Sequence, residues 1–226
     1  MWNDDGKRAA GCGETWERNL AALKARPEGL DFLPCLPKCP PQFHKVKLLT
    51  GDHPSLQVIN DVGRSVTLHS TRRALAEAEE LAQAAPTGKA RYLVALGLGL
   101  GYHLLTLLPR LDEDQYLILV EREPEVMWAA LSTLDLSELL SRPRTMLIVS
   151  PEAKEAVRHL RHNLLEGNGN GLSFWGHPPS LRAHKGYYQE VISRLRSSSG
   201  AASRPLGLKK ESLRILLINP DYFLIP

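Results

Sequence analysis

The stretch Arg91–Met127, RYLVALGLGLGYHLLTLLPRLDEDQYLILVEREPEVM, constrains the fold more than any other part of the chain. Tyr92–Leu96 is an apolar run that stops at a glycine, the pattern of a strand buried on both faces of a parallel sheet. Gly97, Gly99 and Gly101 follow at alternate positions, residues 102–108 return to helix-compatible apolar types, and Pro109 stops them. A second apolar run, Tyr116–Val120, ends on Glu121. Strand, glycine turn, helix, strand, acid is one βαβ unit, and it implies a parallel sheet with right-handed crossovers.

That unit carries a chemical expectation. A turn without Cβ atoms lets a ligand approach the backbone, and the helix behind it aims its free N–H groups and positive dipole end at that ligand. Glu121 lies twenty positions after Gly101, where a strand-end carboxylate accepts hydrogen bonds from ribose hydroxyls. The expected ligand is a nucleotide or nucleotide-like cofactor, with Gly97, Gly99, Gly101, Tyr102 and Glu121 around it. A valine at Gly99 would then fill the space of the ligand. The alternative is a glycine turn that holds no ligand and serves only close helix–strand packing.

The spacing is G-x-G-x-G, whereas dinucleotide folds favour G-x-G-x-x-G, and Tyr102 stands where that pattern wants its third glycine. G-x-G-x-G with a strand-end acid resembles S-adenosylmethionine-dependent methyltransferases and their non-methylating relatives. It departs from them at Ala95, where they commonly carry an acid. S-adenosylmethionine is therefore the alternative cofactor. Asn219-Pro220-Asp221-Tyr222 looks superficially like a methyltransferase catalytic motif.

The flanks set the domain limits. Residues 1–43 combine a helix at 14–26, with Trp16, Leu20 and Leu23 at helical spacing, and a proline-rich connector. Residues 44–90 switch to a period of two, with strands around Val46–Leu49, Leu56–Ile59 and Val66–His69 in an antiparallel meander, then a helix Arg72–Ala85 capped by Ser70 or Thr71. Residues 91–196 are the Rossmann-like, methyltransferase-like α/β domain. It has later strands at Thr145–Val149 and Leu172–Trp175, a stiff bend at His177-Pro178-Pro179, and a helix at Tyr187–Leu195. Residues 197–212 are a linker by composition, and 213–226 read as the first strand of a truncated glycosyltransferase-like domain, or as a strand that joins the first sheet.

Net charge is only +3 and no dense basic stripe exists, so nothing points to nucleic acid. No apolar run reaches a membrane span and the N-terminus is not a signal peptide, which favours the cytoplasm. Cys35 and Cys39 form C-x-x-x-C with His44 nearby, but a zinc site needs about four ligands and only Cys12 is left to complete one, so free thiols are favoured and no metal is expected.

Further residues are candidates. His103, at the start of the glycine-turn helix, could donate to a phosphate or act as general acid or base near neutral pH; otherwise it is a half-exposed helix residue. His177, after the fourth strand of the α/β region, could share the sheet edge of Gly97 as a second catalytic residue, or pack beside Pro178. His69 and Ser70, before a helix N-terminus, could hold an anion, or Ser70 could simply cap. Tyr102 could stack on a base or pack, Glu121 could be a surface acid paired with Arg122, and Asp135 could meet a base edge or cap the next helix.

The order of the pieces carries a resemblance. PSLQV at 54–58, LHS at 68–70, the helix 72–85, LGLGLGYHL at 96–104, VEREPEV at 120–126, HPP at 177–179 and YY at 187–188 together resemble the motility accessory factor (Maf-type) flagellin glycosyltransferases. Their superfamily includes 6-hydroxymethyl-dihydropterin pyrophosphokinase-like proteins. The tail RILLINPDYFLIP is similar to the first strand of CgeB-like nucleotide-sugar-dependent glycosyltransferases. The resemblance implies a Rossmann-like domain of a bacterial transferase, a nucleotide sugar or other nucleotide-activated small molecule as donor, and transfer to a hydroxyl of a protein acceptor such as flagellin. The competing functions are a methyltransferase and a non-catalytic scaffold that binds a partner.

Overall fold

The computed structural model describes residues 13–25, 42–88, 90–164, 171–198 and 216–217. Helix α1 (Glu14–Lys24) buries Trp16, Asn19 and Leu23 along one face. Strands β1 (Val46–Leu49), β2 (Ser55–Ile59) and β3 (Ser65–Thr67) form the antiparallel meander, with Val46 opposite Val58 and Val58 opposite Val66. Helix α2 (Ala74–Gln83) buries Ala74, Ala78 and Ala82, a face of small side chains at i, i+4 spacing that admits a close helix neighbour.

That neighbour is α3 (Tyr102–Leu107), which follows β4 (Tyr92–Leu96) and the glycine turn and tightens into a 3-10 turn at Leu108–Arg110. Then come β5 (Tyr116–Glu121), α4 (Pro124–Thr133), α5 (Ser137–Ser141), β6 (Thr145–Val149), α6 (Ala153–Leu164), β7 (Leu172–Gly176), α7 (Pro178–Ala183), α8 (Lys185–Ser198) and β8 (Leu216–Leu217). The second sheet runs β7-β4-β5-β6-β8, all parallel. The expected Rossmann-like parallel sheet and small meander are both present.

Alternate side chains of the central strands feed two cores, as period-two geometry requires. Leu93, Ala95, Leu117, Leu119, Leu147 and Val149 pack with helices α1 to α5 and with the meander residues Val46, Leu56 and Val58. Val94, Leu96, Ile118, Val120, Met146 and Ile148 pack with α6 and α8. The meander therefore buries its apolar side chains in one of the two cores of the parallel sheet.

Two boundaries differ from the expectation. His177-Pro178-Pro179 opens helix α7 instead of forming a bend, because prolines fit the first helical positions, where no N–H partner is needed. Helix α2 starts at Ala74, and the Ser70 hydroxyl accepts from Arg72 N and Arg73 N in the turn before it. Of the tail, Leu216–Leu217 lies beside β6, with Leu216 opposite Ile148. Cys12, Cys35, Cys39, the proline-rich connector and Asn219–Tyr222 lie outside the described residues. No helix among the described residues is long and apolar enough to cross a membrane.

Strand order β7-β4-β5-β6 places a topological switch point between β4 and β7, because the chain builds β4, β5 and β6 toward one edge and then crosses back to set β7 on the other side of β4. The crevice outside the carboxyl ends of such a strand pair is where open α/β sheets take ligands. The meander is anchored over that edge. Glu125 Oε2 accepts from the amides of His44, Lys45 and Val46 at 2.8, 2.6 and 3.1 Å. Arg122 pairs with Asp61 in the β2–β3 turn at 2.5 Å, and Tyr102 OH donates to Pro54 O at 3.0 Å.

Candidate functional site

The glycine turn is closed by the protein's own side chains. Gly97 (φ +88°) and Gly99 (φ +51°) occupy the left-handed region, where side chains are strained. A Cβ on Gly97 would lie 2.4 Å from Ser180 Cβ, and one on Gly99 would lie 2.4 Å from His69 Nε2. A Cβ on Gly101 would meet Leu136. The space that a nucleotide was expected to fill beside Gly99 thus holds His69. The amides of the turn are also engaged: Leu98 N donates to Glu121 Oε2 at 2.8 Å and Leu100 N to His69 Nε2 at 2.9 Å.

Glu121 is buried at 2% exposure, so it is not the surface acid of the alternative account. Its other oxygen accepts from Glu123 N at 2.9 Å and lies 3.5 Å from Tyr188 OH. Burial pushes its carboxyl up to about 7, against the opposing effect of the backbone amides. In this arrangement the carboxylate ties the glycine turn to the start of α4. Tyr102 is buried, with its ring edge-on to His69 at 5.2 Å. Asp135 accepts from Ser137 N and from Arg18, in the turn one residue before the N-cap Leu136 of α5.

The histidines converge. His177 stands between the other two, its ring stacked on His69 at 4.6 Å and on His103 at 4.6 Å. They come from three segments: His69 from the end of the meander, His103 from α3, and His177 from the loop after β7. All three are buried, and desolvation lowers each ring's pKa, to about 4 for His69, to about 3 for His103, and well below the ordinary value for His177. The rings are neutral at physiological pH. His103 is neither half-exposed nor poised for proton transfer near neutrality, because its burial disfavours the charged form.

Partner chemistry fixes the tautomers. A backbone amide only donates, so His69 Nε2 is an acceptor and Nδ1 carries the proton. A carbonyl only accepts, so His103 Nε2, 3.2 Å from Gly97 O, carries the proton and Nδ1 is an acceptor. That Nδ1 is buried without a hydrogen-bond partner among the described residues. His177 Nδ1 meets Ser180 Oγ at 2.8 Å, and the ring also bonds to the backbone of Leu68.

These rings border a cleft of about 480 Å³ at the switch point. Leu68, His69 and Ser70 form one side, and Glu77, Ala78 and Leu81 of α2 form another. Pro178, Pro179 and Arg182 of α7 close the third, with His103 and His177 between them. Four expected residues, His69, Ser70, His103 and His177, share this cleft, while Glu121 lies outside its lining. The LHS and HPP segments, far apart in sequence, face the same space. Ser180, Glu77 and Arg182 were not anticipated. Ser180 sits three positions after His177, a helical spacing hidden by reading the two prolines as a bend.

Comparison with known proteins adds the following. The family model described as the glycosyltransferase Maf N-terminal domain matches residues 41–194. Among solved structures, the Maf glycosyltransferase from Magnetospirillum magneticum AMB-1 superposes with a TM-score of 0.54 at 16% identity, over 84% of this chain and 36% of that chain. This chain thus spans about a third of the length of that protein. Spermidine synthase from Thermotoga maritima superposes with a TM-score of 0.40 at 19% identity, over 66% of this chain and 53% of that one. No curated protein matches the sequence.

Proposed function

The chain belongs to the glycosyltransferase Maf N-terminal domain family, and from that premise we propose that it serves a bacterial glycosyltransferase that uses a nucleotide-activated sugar. In this proposal the histidine cleft is where the domain meets its small-molecule ligand. The supporting observation is the convergence of His69, Ser70, His103 and His177 from three segments on one cleft at the switch point. Gly97, Gly99, Gly101, Tyr102 and Glu121 act behind them, as the packed scaffold that holds His69 and the turn in place. The acceptor is a hydroxyl of a protein such as flagellin, and the reaction takes place in the cytoplasm.

An accessory role in which the glycine turn binds nothing has its own support, since the amides of Leu98 and Leu100 are already bonded to Glu121 and His69. The same closure disfavours S-adenosylmethionine in that turn. Calorimetric titration of the chain with nucleoside diphosphates, nucleotide sugars and S-adenosylmethionine separates these outcomes. Heat from nucleotide sugars alone is the expected result. Tight binding of S-adenosylmethionine with no response to any nucleotide sugar would sink the proposal.

A further inference from the structure

Two histidines that line the cleft have fixed tautomers, one leaving a donor free and the other an acceptor. His69 Nδ1 carries a proton that no described residue accepts, and His103 Nδ1 is an acceptor that nothing described donates to. The two ring centroids are 6.3 Å apart, with the fully engaged His177 between them. A buried acceptor without a donor is costly, so a group that supplies a proton there gains binding energy.

An ionised phosphate has only acceptor oxygens and cannot supply that proton. It would also share the cleft with Glu77 and Glu80, against the one cation Arg182. A hydroxyl or an amide N–H can donate, and a neighbouring oxygen on the same ring can accept from His69. The remaining walls, Leu68, Ala78, Leu81, Pro178 and Pro179, suit the C–H faces of a sugar.

We infer that the cleft holds the uncharged, hydroxyl- or amide-bearing ring of a sugar, which donates to His103 Nδ1 and accepts from His69 Nδ1, while phosphate groups stay outside. The inference rests on the function proposed above and names the ligand class for the same cleft. Burial keeps both rings neutral, so neither gains charge to attract an anion.

Two-bond ¹H–¹⁵N spectra of the full chain labelled in histidine test it. Methyl glucoside and the methyl glycoside of N-acetylglucosamine are expected to move the Nδ1 signals of His69 and His103, while inorganic phosphate and uridine diphosphate leave them in place. A nucleotide sugar that moves the same signals at a much lower concentration assigns the ring to the donor, and equal potency assigns it to the acceptor. Movement by phosphate or diphosphate alone overturns the inference. So does a spectrum that no probe changes, which would mean that a bound water satisfies His103. His103→Phe should weaken glycoside binding roughly tenfold, the scale of one hydrogen bond. Arg182→Ala, which removes the one cation of the cleft wall, should weaken glycoside binding less than His103→Phe does, and a larger loss there would point to an anion. If calorimetry finds no nucleotide sugar bound yet glycosides move the rings, donor use is lost and the sugar cleft stands. A nucleotide sugar that binds without moving the rings does the reverse.

Discussion

Glu121 illustrates how one residue can look like a ligand contact and act as an internal strut. Its position at the strand end suggests a ribose, yet its oxygens hold Leu98 N and Glu123 N under nearly complete burial. Because its folded pKa, about 7, lies above the ordinary carboxyl value of 4.5, the native state binds more protons than the unfolded chain between those values. Its contribution is therefore fully present at low pH and is lost as pH rises through about 7. Glu121→Gln removes this loss. The stability difference between variant and wild type should move in the variant's favour by about 3 kcal/mol from acidic to mildly alkaline pH, by urea melts. A difference independent of pH would show that the carboxyl titrates normally. Gly99→Ala tests the turn at the same scale. With φ at +51° and its Cβ 2.4 Å from His69 Nε2, the variant should lose about 2–4 kcal/mol in the same melts, without any ligand present. Unchanged stability would mean that the turn has room to spare.

At the scale of elements, the sequence was most legible where a pattern has a single structural solution. Tyr92–Leu96 and Thr145–Val149 have the observed strand limits because uninterrupted apolar runs bounded by glycine, proline or charge admit little else. The LHS and HPP pieces were visible, but their meeting was not, since strand order and the placement of the meander over the sheet edge are long-range outcomes. Nor did the sequence betray that the glycine turn is filled from within, because that depends on His69 arriving from another sheet. Asn19 was hidden for a related reason. On a helix it reads as surface, yet it is fully buried and ties α1 to α4 and α5, with Nδ2 donating to Leu131 O and Leu134 O and Oδ1 accepting from Leu136 N. Asn19→Ala should strand these groups and cost about 2–4 kcal/mol, mostly as faster protease cleavage and weaker docking of α1. A cost below about 1 kcal/mol would show that water replaces the amide readily.

For the whole molecule, the buried histidines and Glu121 pull stability in opposite directions with pH. His69, His103 and His177 have folded pKa values below the ordinary 6.5, so the unfolded chain takes up protons that the native state refuses. Their contribution is present above about 6.5 and is lost as pH falls toward 3 to 4. Glu121 acts with the reverse sign between 4.5 and about 7. Three groups oppose one through the acidic range, so the histidines win there and stability climbs with pH. Of these four groups only Glu121 still changes beyond 6.5, and the climb turns into a shallow decline. The chain should therefore be most stable near neutrality, with a loss on the order of 3 kcal/mol on acidification by about 1.5 pH units. His103→Phe, which removes one of three titrating rings that Glu121 opposes, should flatten the acid limb by roughly a half while leaving the decline above neutrality, which belongs to Glu121, in place. Denaturant midpoints across the range decide the matter. A profile flat from pH about 5 to neutrality would mean that the imidazole stack opens to water, and that the cleft lacks the neutral floor on which its preference for an uncharged ligand depends.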